Sequence, residues 1–196
     1  MGRLADVLLH ALVTIALLAL PTDARIRDIR MPDRVPVHPS ASYSPHVVEL
    51  PADLTEAITI VLESQRLTDA RKQLIATARH YLGCRYASGR QGPDRFDCSG
   101  FTSYVYRLEG MSLARSSREQ YHNGVAVSRH DLCPGDLVFF AHGGSAANIN
   151  HVGMVVEAKE GGRFTFIHAA RTGIIISSSD ESYWQPRFVG ARRVMQ

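Results

Sequence analysis

Residues 96 to 110, FDCSGFTSYVYRLEG, decide how the rest of the chain is read. Phe101, Val105 and Leu108 recur at helical spacing and Gly110 closes the run, which predicts a helix with Cys98 in its first turn. There the unpaired N–H groups and the positive end of the macrodipole favour thiolate over thiol, the form a nucleophile needs. A lone cysteine is more often a small hydrophobe in a core. Asp97 and Ser99 flank this one, and a loop holding Gly89, Gly92 and Pro93 precedes it, which argues against a dry site.

Downstream of Pro134 the texture changes to short runs rich in β-branched and aromatic residues: 136–141, 151–158, 163–170, 173–178 and 189–194, separated by Gly, Asn or Ser turns. Connections this short leave no room for crossover helices, so the sheet is expected to be antiparallel, with about five strands, and the class α+β. If residues 159–162 (KEGG) form a four-residue hairpin loop, Ala158 faces Arg163 and His168 lies opposite Gly153. His151 then sits two residues along on the same face, a diagonal neighbour of His168 at roughly 7–8 Å between backbones. Gly153 leaves space beside the two rings. A single histidine in a strand is usually structural or exposed. Two on one face of one hairpin, with a helix-starting cysteine upstream, form a constellation.

Upstream, Ser116 followed by Glu119 is a capping-box pattern opening a short helix that ends near Gly124. A firmer helix is expected over 69–82, with Thr68 as N-cap and Gly83 just past its end, and a weaker one over 52–63. Between Arg25 and Pro51 five prolines make an extended linker. Val7 to Leu20 is a 14-residue apolar run after Arg3, shorter than the roughly 20 residues of a membrane span. Thr22 and Ala24 suit a cut after Ala24, so residues 1–24 read as a secretory signal, 25–66 as linker and weak helix, and 67–196 as the catalytic domain. An uncleaved N-terminal anchor and a buried helix are the other readings, and only with the anchor is a membrane a partner. No cysteine follows the run to take a lipid.

Composition is that of an ordinary globular protein: 196 residues, 45% hydrophobic and 21% charged. A formal charge of +3 with no lysine or arginine run gives no nucleic-acid footprint. Three cysteines, Cys84, Cys98 and Cys133, make neither a disulfide scaffold nor a C-x-x-C zinc pair. Cys84 and Cys133 could pair in an oxidising envelope, but nothing in the sequence sets their separation.

From about Leu74 to Val194 the chain resembles the NlpC-type family of bacterial cell-wall cysteine peptidases. The segments that carry the resemblance are YLGCRYASG (81–89), FDCSGFTSYVY (96–106), LARSSREQ (113–120), PGDLVFF (134–140), INHVGMVV (149–156) and FIHA (166–169), in order and spacing as well as content. The resemblance implies a compact papain-like fold, with Cys98 as nucleophile, His151 as base and His168 orienting the base. It also implies that Tyr86, Asp97 and Ser99 line the pocket for the substrate's amino-terminal side. The substrate implied is a peptidoglycan stem peptide, cut by acyl transfer to water outside the cytoplasm, with no cofactor or metal. A monomer is expected. Ser88 stands where the family commonly has the first glycine of a pair, which bears on the shape of that loop. An amidase or acyltransferase on the same fold is the alternative among enzymes. A metal module built on Cys98, His151 and His168, or a catalytically silent wall-binding domain, are alternatives of other kinds.

Overall fold

A computed structural model of the protein describes residues 52–196; the expected signal segment and the proline-rich linker of residues 25–51 lie outside the described residues. The chain opens with helix α1, Ala52–His80. It continues through a two-residue parallel pair, β1 (Arg85–Tyr86) and β2 (Arg95–Phe96), to helix α2 (Cys98–Leu108) and the short helix α3 (Ser117–Gln120). Six strands follow: β3 (Val125–Val127), β4 (Leu137–Ala141), β5 (Ile149–Ala158), β6 (Phe164–Ala170), β7 (Gly173–Ser178) and β8 (Phe188–Arg193). They form one antiparallel sheet in the order β3-β8-β4-β5-β6-β7.

Period-two alternation sorts the sheet's side chains. Leu137, Phe139, Val152, Met154, Ile167 and Ala169 pack with Leu74 and Ala78 of α1 and Phe101 and Val105 of α2. Val138, Phe140, Val155 and Phe166 form a second core on the other face, with Trp184 and Phe188 packed against it. With both faces covered, all five residues of β4 are buried, which is why that segment reads as an unbroken apolar run. At one end of the sheet the buried Asp136 holds Arg193 at 2.8 Å and Arg71 of α1 at 3.5 Å. It also accepts the Cys133 amide proton, while the Tyr106 hydroxyl donates to the Gly135 carbonyl. Helix, strand start and chain end are tied at one point.

Three expectations are corrected. The two predicted N-terminal helices are one: residues 64–68 contain neither Gly nor Pro, and Thr68 is no N-cap, because its hydroxyl donates to the Ser64 carbonyl one turn back. The sheet has a sixth strand, the three-residue edge β3, too short to leave a periodic signal. The β5–β6 loop is one residue longer than the expected hairpin, since Ala158 pairs with Phe164; a bulge between Val155 and Glu157 then restores the predicted register, so that Met154 faces Ile167. Cys84 and Cys133 are half-buried free thiols, not a disulfide.

Candidate active site

Cys98 is the first residue of α2, and its neighbours fix the helix start. Asp97 is the N-cap: its Oδ1 accepts from the Gly100 amide at 2.6 Å and its Oδ2 from the Gly89 amide at 2.9 Å. Gly100 has to be glycine, since a Cβ there would collide with the Arg90 carbonyl oxygen. Arg115 grips both Asp97 oxygens, at 3.2 and 2.6 Å, and donates to Ser99 Oγ at 3.0 Å. The fully buried Gln120 donates to the Ser99 carbonyl and to Ser103 Oγ, and accepts from Thr102, which locks α3 against α2.

The electrostatics correct the expectation of a helix-start thiolate. Burial, and then the Asp97 charge, push the Cys98 thiol up; the backbone N–H groups of Ser99, Val152 and Cys98 pull it only part of the way back. Cys98 therefore rests as a thiol, and attack requires a base.

The candidate for that base is the β5 histidine. Cys98 Sγ lies 4.0 Å from the carbonyl oxygen of Asn150, the residue before His151. His151 Nε2 is 3.0 Å from His168 Nδ1, and His168 Nε2 is 3.2 Å from Ser177 Oγ on β7. Both rings are neutral near pH 7: burial pushes His151 down to about 4, and burial with the neighbouring His151 pushes His168 down to about 3. For His151 to take a proton at Nδ1, its Nε2–H must donate to His168 Nδ1, and His168 Nε2–H must donate to Ser177. One set of tautomers satisfies all three groups. Trp184 stacks on His151 at 5.2 Å and meets His168 edge-on at 4.9 Å, covering one side of the pair. Gly153 makes room, because a Cβ there would lie 2.6 Å from a Phe166 ring carbon and 3.2 Å from His168 Cβ.

The structure thus brings Cys98, His151 and His168 to one place. Tyr86 lines the cavity on the His151 side, whereas Asp97 and Ser99 are buried, engaged with Arg115, and do not line it. Arg115, Gln120, Ser177 and Trp184 were not singled out from the sequence; only the Ser116 capping box, one residue after Arg115, hinted that α3 is a fixed element. Among the described residues no group of His, Cys, Asp or Glu side chains is arranged to hold a metal ion.

A cysteine at a helix start packed against a sheet-borne histidine pair, with the helices preceding an antiparallel sheet, defines the papain-like class. The NlpC/P60 family model matches residues 83–193, and the chain belongs to the NlpC/P60 family. It is 40% identical over 131 residues to "Probable endopeptidase p60" of Listeria grayi, which covers 67% of this chain and 24% of that protein. It is 37% identical over 132 residues to "Murein DD-endopeptidase MepS/Murein LD-carboxypeptidase" of Escherichia coli strain K12, covering 66% of each. The chain thus spans about a quarter of the Listeria relative's length. Among solved structures, an NlpC/P60 family protein from Bacillus cereus aligns with a TM-score of 0.59 at 34% identity over 64% of this chain and 40% of that one. The NlpC/p60 domain of the peptidoglycan hydrolase SagA aligns at 0.52 and 29% identity, over 63% and 97%.

Proposed function

We propose that the protein is a cysteine endopeptidase that hydrolyses an amide bond in peptidoglycan stem peptides. The observation that carries this is the series His151, His168, Ser177, which one tautomeric arrangement satisfies, with Cys98 Sγ 4.0 Å from the carbonyl oxygen of Asn150 next to His151. Family membership and relatives named as endopeptidases of the wall supply the substrate class. Cys98 Sγ attacks the amide carbonyl carbon as its proton passes to His151 Nδ1. The backbone N–H of Cys98 meets the developing oxyanion. The C–N bond then breaks, and the same proton goes from His151 to the leaving nitrogen, which leaves a thioester. Water attacks the thioester, its proton returns through His151, and the C–S bond breaks to regenerate the thiol. Throughout, His168 Nδ1 accepts the His151 Nε2–H and stabilises the transient imidazolium.

In this reading residues 1–24 export the chain and the mature protein starts at or near Arg25, outside the cytoplasm. Tyr86, Asp97 and Ser99 would receive the amino-terminal side of the stem peptide, Asp97 and Ser99 with Arg115 as their partner. The test is mass spectrometry of fragments released from purified peptidoglycan by the wild type and by Cys98→Ala. New peptide ends from the wild type alone support the reading; none from either, or the same ends from both, contradict it.

A further inference from the structure

On the His151 side of Cys98 the structure opens a cavity of about 520 Å³, within the range of about 300–1,000 Å³ typical of small-ligand sites. Its direction relative to the chemistry follows from proton bookkeeping. His151 hands its proton to the departing nitrogen, so the leaving half of the substrate lies on the His151 side. Asn150 and His151 line the cavity, Tyr183 and Trp184 give it aromatic walls, Asp97 and Ser99 are not part of it, and Tyr86 marks its border with the amino-terminal side.

The charge of the cavity is one-sided. Arg171 and Arg187 line it and no Asp or Glu does. Three arginines of the site and core meet carboxylates, Arg71 and Arg193 at Asp136 and Arg115 at Asp97, while Arg118, Arg129 and Arg192 are engaged by carbonyls or aromatic rings outside the cavity. Arg171 is exposed and makes no hydrogen bond or ion pair among the described residues, yet its charge acts on the Tyr86 hydroxyl at the cavity edge. Arg187 is held in place without being neutralised: Nη1 donates to the Tyr183 carbonyl at 2.6 Å, the guanidinium lies 4.0 Å over the Tyr183 ring, and Nε has no partner. Two guanidinium groups without carboxylate partners beside the leaving-group position suit a planar anion.

We propose that this cavity is the leaving-group subsite and that it selects amides whose leaving residue carries a free carboxylate, bound by Arg171 and Arg187. The inference rests on the peptidase reading above for its direction. The aromatic walls accept the remainder of that residue, and converting its carboxylate to a carboxamide removes the preference.

Binding without turnover tests this directly. The full chain carrying Cys98→Ala is titrated calorimetrically with the tetrapeptide L-Ala-γ-D-Glu-L-Lys-D-Ala and with its C-terminal carboxamide. The acid is expected to bind about ten- to a hundredfold more tightly, as a charge-assisted contact implies. Adding Arg171→Gln or Arg187→Gln should each shrink that ratio, and the double substitution should bring it near one. Equal binding of the two peptides, no measurable binding of either, or a ratio untouched by both arginine substitutions overturns the subsite. Hydrolysis by the wild type is scored separately. Selective binding with no cleavage of any stem peptide would sink the peptidase reading alone, whereas cleavage with no carboxylate preference would sink the subsite alone.

Discussion

Acidification from about pH 7.5 to about pH 5 is expected to destabilise the fold through the two site histidines. His168 is fully buried, with its pKa pushed down to about 3, and His151 beside it is pushed down to about 4. In the unfolded chain both return to about 6.5. Below that value the unfolded state binds protons that the folded state refuses. The stability they confer is therefore complete above about pH 6.5 and is lost as the pH falls toward the folded values. One pH unit is worth up to about 1.4 kcal/mol per group, so His168 alone costs about 2 kcal/mol by pH 5. His151 is half-buried and adds less, and since the two rings share a hydrogen bond they titrate as a pair. The assay is urea unfolding at both pH values for the wild type and for His168→Gln. His80, His122, His130 and His142 are exposed and common to both proteins, so their contribution cancels. The wild type should lose about 2 kcal/mol more than the variant on acidification. Equal losses, or a wild type that gains stability at pH 5, would refute the neutral-pair account.

Gly153→Ala pushes a methyl group into the Phe166 ring and against His168, and should cost about 1–3 kcal/mol in urea unfolding and most of the activity. Asp136→Ala strands Arg193 and Arg71 at the helix–sheet junction and should cost about 3 kcal/mol by the same assay, because a buried pair is broken from one side. With burial holding Cys98 as a thiol, iodoacetamide should label it in the free protein more slowly than an unhindered cysteine near pH 7, and its rate should keep rising above the ordinary thiol range. A fast plateau below pH 7 would restore the thiolate reading.

The candidate set of Cys98, His151 and His168 was legible as a spatial cluster because its signals are local. The helix and its start are written in residues 97–110, and the histidine register follows from counting back from a Gly-rich turn. The count held for a reason the sequence does not display, as the longer loop and the bulge near Val156 offset each other. What stayed hidden depends on distant partners. Arg115 and Asp97 are 18 positions apart, and Ser177 is nine from His168 on the neighbouring strand. Trp184 belongs to an irregular segment whose place over His151 no periodicity announces. The upward push on the Cys98 thiol was not legible because the helix-end effect is visible in sequence, while burial and the N-cap carboxylate that oppose it are not. The run of α1 through Thr68 shows a hydroxyl satisfied by its own helix instead of by a cap.

The central claim is that Cys98 attacks, His151 carries the proton and His168 only holds His151 in place. The measurement that tests it most directly is the initial rate of stem-peptide release from purified peptidoglycan by the wild type, Cys98→Ala, His151→Ala and His168→Asn, each shown to be folded. The account predicts no release from Cys98→Ala, almost none from His151→Ala, and a measurable fraction from His168→Asn, whose amide oxygen can still accept from the His151 Nε2–H. Substantial release by Cys98→Ala, or a His168→Asn rate below that of His151→Ala, would contradict it.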